Sequence, residues 1–295
     1  MMRGILERAA VLAILFGACM FSGGCRTASD SKAALSEMTT VLVSNLPAGL
    51  DADQALVALD RAIASSPDSA LFYSNRATVY RDAKKDFPSA RVDYDQAIAL
   101  APGLSPAYSN RGMLHQLAGD PELARADYSK AIALDPENAL AFCRRGDLDR
   151  TDHHGDLGVA DYTAAIALEP ERGETFCGRG MAYAATGHYD LALEDLSRAI
   201  KLNPRDYTAC HERGLVYLEE KTDLARALAD MNRAIKADPK QPLAHADKAR
   251  ICEFLGRPGE ALQEYRKVVA LSAAAPPEVV EQARKRIAVL EDLAQ

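Results

Sequence analysis

The residues best suited to chemistry lie together in the stretch DRTDHHGD, which contains Asp149, Asp152, His153, His154 and Asp156. Carboxylate and imidazole groups bind divalent metals, so this stretch is a candidate metal site. It also lies at a predicted turn between two helices, where Asp and Gly are favoured for backbone reasons alone. We interpret it as an exposed turn, and we expect neither a metal nor another cofactor.

The rest of the sequence lacks the motifs of common enzymes. It contains no Gly-rich phosphate loop, no nucleophile elbow and no pair of cysteines with metal-ligand spacing. The formal net charge of -7 argues against a nucleic-acid binder, because such proteins need a basic face to replace counterions. The sequence therefore favours a non-enzymatic protein that does not bind nucleic acid.

The first 25 residues differ from the rest of the chain. Two arginines, Arg3 and Arg8, precede an uncharged segment of 13 residues, Ala9 to Phe21. This segment is short for a membrane span but typical of the apolar part of a secretory signal. The residues SGGC then end in Cys25 and are followed by a polar run. This pattern resembles a bacterial lipoprotein signal peptide.

That resemblance implies cleavage before Cys25 and lipidation of its thiol. Ser22 departs from the pattern, which prefers Leu there, and Cys19 is a rival site although apolar Met20 and Phe21 follow it. Simple cleavage without lipidation, or an uncleaved anchor, would also fit such a segment. Several acyl chains are needed for stable anchoring, and the bacterial modification would supply them. Contact with the membrane would then be made through the lipid anchor only.

Beyond this segment, one helix ending recurs along the chain. DYSKAIALDP ends at Pro136, and four similar stretches end at other prolines. A period near 34 residues is typical of stacked helix–turn–helix units, and proline ends each unit because it cannot continue a helix. The five prolines, spaced by 34, 34, 34 and 35 residues, are Pro102, Pro136, Pro170, Pro204 and Pro239.

Two other columns of the repeat indicate how its helices pack. Small residues recur where the paired helices must cross closely, and large residues recur one turn away. The small residues of the predicted first helices are Ala77, Gly112, Gly146, Gly180, Gly214 and Ala249. The large residues of the predicted second helices are Tyr94, Tyr128, Tyr162, Leu196, Met231 and Tyr265.

These columns resemble the tetratricopeptide repeat (TPR). With Ser105 as position 1, the residues that match the family pattern at positions 4, 8, 20, 24, 27 and 32 are Tyr108, Gly112, Ala124, Tyr128, Ala131 and Pro136. The resemblance implies an all-α fold, a right-handed TPR solenoid of antiparallel helix pairs with a C-terminal capping helix. No single hairpin can bury its apolar face alone, so each must pack against the next.

The repeat also predicts how the chain is divided. The expected segments are a signal peptide at 1–25, a linker and degenerate first helix at 26–50, a partial TPR at 51–69, six TPR units at 70–276 and the capping helix at 277–295. In the capping helix we expect Ile287 and Leu290 to cover the last unit. We expect Arg284, Lys285 and Arg286 to stay in water.

The cysteines of neighbouring repeats are predicted to be free. Cys143 and Cys177 occupy the same position in successive first helices. Stacked helices lie about 8–10 Å apart, whereas a disulfide needs Cα atoms within about 7 Å. These thiols should therefore pack as small side chains.

A basic residue at position 7 and an acid at position 23 recur in every unit. They are 16 or 17 residues apart, which places them at matching heights in an antiparallel hairpin. We predict a ladder of ion pairs that joins helices within or between units; two independent solvated stripes are the alternative. The residues are Arg76, Asp93, Arg111, Asp127, Arg145, Asp161, Arg179, Asp195, Arg213 and Asp230, followed by Lys248 and Glu264.

The TPR resemblance further implies a binding groove along the first helices, chiefly at positions 2, 5, 6, 9 and 12. Ser74 and Ser109 stand at position 5, and Asn75, Asn110 and Arg144 stand at position 6. We predict that the two asparagines hydrogen-bond an extended partner segment whose acidic side lies near Arg144. Simple solvation of a surface is the alternative.

Charges at position 12 should distinguish the two halves of this groove. Arg81 and Arg150 are expected to add positive charge to the first half, and Glu253 negative charge to the second. TPR proteins that grip a C-terminal carboxylate need a Lys at position 5, with Lys and Arg at positions 2 and 6 of a later unit. Only Arg144, beside Leu140, fits part of that pattern. The resemblance therefore argues against a carboxylate clamp and against heat-shock chaperone tails as ligands.

These features together imply a non-enzymatic scaffold or adaptor of the bacterial cell envelope. It would be lipid-anchored, would face the periplasm or the cell surface, and would bind a protein or peptide of unknown identity in its groove. The alternative is a soluble or anchored chaperone-like recruiting subunit of a periplasmic export or polymer-assembly machine.

Overall fold

The computed structural model describes residues 51–152, 154–220 and 223–293. The predicted signal peptide with Cys25, the segment 26–50 and His153 lie outside these residues. Within the described ranges the chain forms fourteen α-helices and one π-helical turn, and no strand. The predicted all-α fold class of paired TPR helices is confirmed.

Short connections separate the helices throughout. The π-helical turn, Tyr80–Lys84, continues α2 directly. In chain order the helices are α1 (Ala52–Ser65), α2 (Ala70–Val79), α3 (Phe87–Leu100), α4 (Ser105–Ala118), α5 (Pro121–Leu134), α6 (Ala139–Thr151), α7 (Gly155–Leu168), α8 (Gly173–Ala185), α9 (Tyr189–Leu202), α10 (Tyr207–Glu219), α11 (Leu224–Ala237), α12 (Pro242–Phe254), α13 (Pro258–Ala270) and α14 (Pro277–Asp292).

The chain divides into two compact units between Leu114 and His115, within α4. In the first unit, α2 packs against both α1 and α3. In the second unit, α6–α7, α8–α9, α10–α11 and α12–α13 pack as hairpins. Each second helix there also packs on the first helix that follows it, so every hairpin covers part of the next one.

The small residues of the first helices permit close crossings with large side chains of the second helices. A Cβ atom added to Gly180 would lie 2.8 Å from Leu196, and one added to Gly214 would lie 2.9 Å from Met231. Leu196 and Met231 are fully buried. The small and large columns of the repeat therefore meet at one interface, which a larger residue in the first helix would push apart.

The first TPR unit is one residue longer than the 34-residue period, and the π-helical turn accommodates this extra residue. In the second, fourth and sixth TPR units, Gly119, Gly187 and Gly256 have positive φ angles just after a first helix. In the first TPR unit, the residue with a positive φ angle just after the first helix is Lys85, with φ 55°. Because the wider ring of a π-turn absorbs the extra residue inside the helix, the chain still turns at the same point.

The terminal helix α14 takes the place of a first helix of one more unit. It packs on α13 and also touches α12, just as α8, α10 and α12 each touch the preceding first helix. Ile287 and Leu290 pack against the last hairpin, as expected. Arg286, which we expected in water, is instead half-buried and ion-paired with Glu253 of α12. Arg284 and Lys285 are exposed, as expected, and the prediction was wrong for Arg286 alone because α14 contacts α12 as well as α13.

Four arginines at position 7 bind the acid of the following helix through two parallel hydrogen bonds. Their Nε and Nη2 atoms donate to both carboxylate oxygens of the Asp at 2.7 to 2.9 Å. The pairs are Arg76–Asp93, Arg145–Asp161, Arg179–Asp195 and Arg213–Asp230. In the last hairpin, Lys248 lies 2.9 Å from Glu264.

The remaining nitrogen of these arginines, Nη1, reaches back to the preceding second helix. A single guanidinium therefore connects three helices, which the one ammonium group of a Lys cannot do with the same geometry. For these four, the Nη1 contacts at 2.7 to 3.1 Å are Arg76 to Asp60, Arg145 to Ser129, Arg179 to Thr163 and Arg213 to Ser197. Nη1 of Arg111 makes the equivalent contact with Asp95 at 2.7 Å.

Arg111 and Asp127 belong to different compact units. In the first unit, the Arg111 guanidinium also lies 5.7 Å from the centroid of the Tyr108 ring. In the second unit, Asp127 is buried, with its carboxylate 3.7 Å from Nε2 of His115. The predicted pairing of Arg111 with Asp127 stays a prediction.

Removing one arginine of the ladder should destabilise the fold. Arg145→Met leaves the buried carboxylate of Asp161 without its two donors, and we expect a loss of about 2–3 kcal/mol in the free energy of unfolding. Urea unfolding followed by circular dichroism measures this loss. Arg266→Met is the matched control, because Arg266 forms an exposed pair with Glu291 and its loss should cost under about 0.5 kcal/mol. Equal midpoints for the two variants would contradict a structural role of the ladder.

Candidate partner-binding groove

The predicted groove residues lie on first helices, and most are less accessible than a solvent-lined groove suggests. In the first unit, Ser74 and Ser109 are buried, Asn75 is 7% exposed and Asn110 is half-buried. In the second unit, Arg144 is half-buried. In each unit these side chains therefore lie in a closely packed surface to which a ligand would have to gain access.

Asn75 has an unusual environment on this face. Its Oδ1 atom is buried and has no hydrogen-bond partner. A buried amide oxygen without a donor costs roughly 1–3 kcal/mol. Rotation of the side chain toward solvent would break no hydrogen bond of this oxygen and would present it to a donor such as a peptide N–H.

Arg81 does not supply the open positive charge that its position led us to expect. It lies in the π-helical turn and is only 3% exposed. Its Nε and Nη2 donate to Asp82, each at 2.7 Å. Its Nη1 donates to the hydroxyl of Tyr94 and to the backbone carbonyl of Asn110, each at 3.1 Å. The inserted residue changes the direction of this side chain, which simple position counting cannot show.

Glu253 likewise does not present an open negative charge. Arg286 of α14 forms an ion pair with its carboxylate, and the hydroxyl of Tyr265 donates to it at 2.6 Å. Burial alone would raise the pKa of Glu253, but these hydrogen bonds outweigh burial and lower the pKa. The predicted contrast of charge between the halves of the groove therefore fails at Arg81 and Glu253.

Arg150 remains as a basic group on the first-helix face of the second unit. It is half-buried, and its Nε atom is buried without a hydrogen-bond partner. Its Nη2 is 4.0 Å from Asp147, at the limit of an ion pair. Asp147 itself is half exposed and accepts a hydrogen bond from Tyr162 at 2.6 Å. Arg150 therefore retains donor capacity on this face.

The first-helix face alternates between polar and apolar sections, which our reading of the sequence missed. Where the large-residue column holds Tyr, its hydroxyl contacts a polar first-helix side chain, because a buried hydroxyl needs a partner. These contacts are Tyr94–Thr78, Tyr128–Gln116, Tyr162–Asp147 and Tyr265–Glu253. Where the column holds Leu196 and Met231, the equivalent first-helix residues are apolar: Met181, Ala184, Leu215 and Leu218. Aligning positions 9 and 12 with position 24 would have shown this correlation.

His211 forms a second feature that sequence reasoning missed. Its Nε2 lies 2.9 Å from Asp247 of the next first helix, and its Nδ1 lies 3.8 Å from Glu212. Its ring stacks on Tyr207 with centroids 5.5 Å apart. Burial alone would lower the pKa of His211, but the hydrogen bonds to the two carboxylates outweigh burial and raise it to about 9. His211 is therefore a cation at neutral pH.

Two acids of the stretch DRTDHHGD, Asp149 and Asp152, form ion pairs with Arg125. Asp149 is buried, which contradicts the predicted exposed turn, and it accepts a hydrogen bond from Arg125 at 2.9 Å. Asp152 accepts a second bond from the same guanidinium at 2.8 Å. The side chain of Asp149 is buried because α6 extends through it to Thr151. Among the described residues, which exclude His153, no three His, Cys, Asp or Glu side chains are grouped to hold a metal.

The cysteines of the second unit are all free and buried, as predicted for Cys143 and Cys177. Burial raises the pKa of each thiol, to about 12 for Cys177. They are therefore protonated at neutral pH and pack as small apolar groups.

In the part of the chain that the structure describes, no helix is both long and apolar enough to cross a membrane.

Serial hairpins, close crossings at small residues and a polar first-helix face define a helical-repeat interaction protein. Models described as Tetratricopeptide repeat match residues 105–138 and 173–206, and also residues 48–105 and 217–276. Together these matches span more than half of the sequence. The chain belongs to the tetratricopeptide repeat family, whose members are generally non-enzymatic modules for protein–protein interaction.

Solved structures with the same fold share little sequence with this chain. The Cut9 and Hcn1 hetero-tetramer of the APC/C superposes with a TM-score of 0.68 at 15% identity, covering 88% of this chain and 52% of that one, so this chain spans about half of that relative. PilW, described as a widely conserved type IV pilus biogenesis factor, superposes with a TM-score of 0.64 at 18% identity, and the match covers 70% of this chain and 94% of that one. PilF of Pseudomonas aeruginosa superposes with a TM-score of 0.62 at 17% identity, and the match covers 71% of this chain and 94% of that one. Comparison with curated proteins finds no match.

The ion pair of His211 makes a pH-dependent contribution to stability. Its pKa is raised above the unfolded value of about 6.5, so the stabilisation is fully present below pH 6.5 and is lost as pH rises through about 9. An NMR titration of the imidazole should show a midpoint near pH 9 in the wild type and a lower one in Asp247→Asn. Glu219→Gln is the control, since Glu219 is exposed and pairs with Arg250 instead. An unchanged midpoint in Asp247→Asn would show that Asp247 does not hold the proton.

Proposed function

We propose that this protein is a non-enzymatic scaffold of a bacterial cell envelope, which holds an extended segment of a partner protein along its first helices. The observation that carries this proposal is the buried Oδ1 of Asn75, which has no donor on a face built from first-helix residues. A backbone N–H of a bound segment is a suitable donor, because extended peptides carry such groups at regular intervals. Membership of the TPR family supports the same class of function.

The remaining predicted groove residues would assist in the same way. Asn110 in the first unit offers amide groups for an extended backbone, while Ser74 and Ser109 are small enough to let it approach. Arg144 in the second unit would favour an acidic side chain of the partner, since a guanidinium binds carboxylates through paired hydrogen bonds. The protein itself carries a formal net charge of -7, so such basic positions stand out from its general charge.

The envelope location rests on the N-terminal sequence alone. Two arginines, a 13-residue apolar segment and SGGC resemble a lipoprotein signal, which would leave the TPR units outside the cytoplasm and attached through Cys25. The alternative is a recruiting subunit of a periplasmic export or polymer-assembly machine. Likeness in fold to PilW, a type IV pilus biogenesis factor, makes that alternative worth testing.

Loss of the groove side chains should abolish partner capture. The triple variant Asn75→Ala, Asn110→Ala and Arg144→Ala should keep its helicity and recover at least about tenfold less partner from envelope fractions, because it loses two amides and one cation. Affinity purification followed by mass spectrometry measures recovery. A double variant at the exposed second-helix residues Asn232 and Arg266, both changed to Ala, is the matched control. Undiminished capture by the triple variant would move the binding surface away from the first helices.

Lipid labelling tests the anchor and distinguishes an anchored protein from a soluble recruiting subunit. Full-length protein expressed in a bacterial host with radiolabelled palmitate should carry label in the wild type and in Cys19→Ala, but not in Cys25→Ala. The unlabelled variant should leave the membrane fraction, since the acyl chains are the expected means of attachment. Wild-type protein without label would contradict the anchor and favour a soluble recruiting subunit.

A further inference from the structure

The apolar section of the first-helix face extends over two consecutive hairpins of the second unit. Met181 and Leu215 are half-buried, as is Ala184, whereas Leu218 is almost fully buried. The residue at the position of Met181 and Leu215 in the preceding hairpin is Asp147, whose side chain is half exposed. This position therefore opens to solvent on the same face, and the two apolar side chains leave part of their surface uncovered.

A basic group lies on the first helix of the hairpin before this apolar section. Arg150 belongs to α6, which contacts α8, the helix of Met181, and the Nε atom of Arg150 has no hydrogen-bond partner. Arg144, two turns earlier on the same helix, adds a second positive charge. Buried donors without partners are rare, so an acceptor from outside the chain would provide the hydrogen bond that this donor lacks.

On the other side of the apolar section, the charged side chains already pair with one another. The cation of His211 contacts Asp247 and Glu212, and Arg250 lies 3.8 Å from Asp247. These opposite charges balance one another, so a basic ligand group would have to displace a partner already in place. An acidic group would meet Arg150, whose Nε has no hydrogen-bond partner and whose Nη2 lies 4.0 Å from the carboxylate of Asp147, at the limit of an ion pair. This weak contact is easier to replace than the pairs around His211, and charge complementarity therefore favours an acidic ligand.

We propose that the second unit binds an extended peptide segment in which a hydrophobic side chain is adjacent to a carboxylate. The hydrophobic side chain lies on Met181 and Leu215, and the carboxylate accepts hydrogen bonds from Arg150. This specificity rests on the proposed function, since it describes what kind of segment the same groove selects.

The correlation inside the repeat supplies the physical reason for this selectivity. Tyr162 holds Asp147 by a hydrogen bond, which keeps the preceding hairpin polar. Leu196 and Met231 have no hydroxyl to satisfy, so the next two hairpins can present apolar side chains at the equivalent surface position. Burial of one aliphatic side chain against that surface is enough to change affinity about tenfold or more.

The probe is an acetylated and amidated ten-residue peptide with a central Leu between two Glu residues and Gly and Ser elsewhere. Glu on both sides makes the test independent of chain direction. Fluorescence anisotropy should show weak, saturable binding to the full-length protein. Replacement of Leu by Ser, or of both Glu by Lys, should weaken binding about tenfold. Equal binding of all three peptides would overturn the proposal.

Variants of the protein locate the site. Met181→Ala with Leu215→Ala should weaken binding of the Leu peptide about tenfold but leave the Leu-to-Ser peptide unaffected. Arg150→Gln should remove the preference for Glu over Lys. The control is Leu123→Ala with Leu157→Ala, because these exposed leucines lie on second helices. Thermal unfolding establishes that each variant folds.

The outcomes separate this proposal from the general one. No binding of the Leu peptide up to millimolar concentration, or equal effects of the two double variants, overturns the sequence preference. Partner capture that still depends on Asn75, Asn110 and Arg144 would then leave the scaffold function standing. The third outcome is that peptide binding depends on Met181 and Leu215 while the triple variant still captures the partner. That result supports the sequence preference and moves the principal site into the second unit.

Discussion

The close crossing of a small residue over a large one is the constraint on which this structure depends. A Cβ atom added to Gly180 or Gly214 would lie within 3.0 Å of the side chain of Leu196 or Met231, so the large side chain would have to shift. This contact holds each hairpin together, and the remaining apolar surface is covered only by the following helix. Because every hairpin needs its neighbour, the same interface must recur at the same spacing, which is why the chain repeats with a period near 34 residues.

The arginines at position 7 act on top of this packing. Hydrophobic burial is non-directional and would tolerate small slips between helices, whereas a guanidinium bound to a carboxylate through two parallel hydrogen bonds has one geometry. Arg213 fixes Asp230 on the next helix and Ser197 on the previous one. In the last hairpin, Lys248 shares Glu264 with His245 and Lys267. Hydrogen bonds to these groups outweigh burial and lower the pKa of Glu264 to about 2.

Interior and surface are coupled through the large-residue column. A buried Tyr there requires a polar side chain on the neighbouring first helix, as Tyr162 requires Asp147. A Leu or Met makes no such demand, so the first-helix face can become apolar without leaving a polar group unsatisfied. A change of core residue therefore alters how polar the outer face is. This offers one route by which repeat proteins of one fold acquire different partners.

The sequence by itself determined the repeat, the all-α class, the helix pairs and the burial of the cysteines, because these follow from local periodicity and from the spacing of Pro, Gly and Ala. It also placed Arg76 and Asp93 at matching heights, since two positions of a regular hairpin can be counted. The tertiary structure decided the matters that depend on direction and on contacts between units. The π-helical turn directs Arg81 inward, Arg286 forms an ion pair with Glu253, and His211 gains a second carboxylate partner, Asp247, from the next hairpin. Counting positions fixes the register of a side chain, but its charge and accessibility are set by neighbours that only the folded chain brings together.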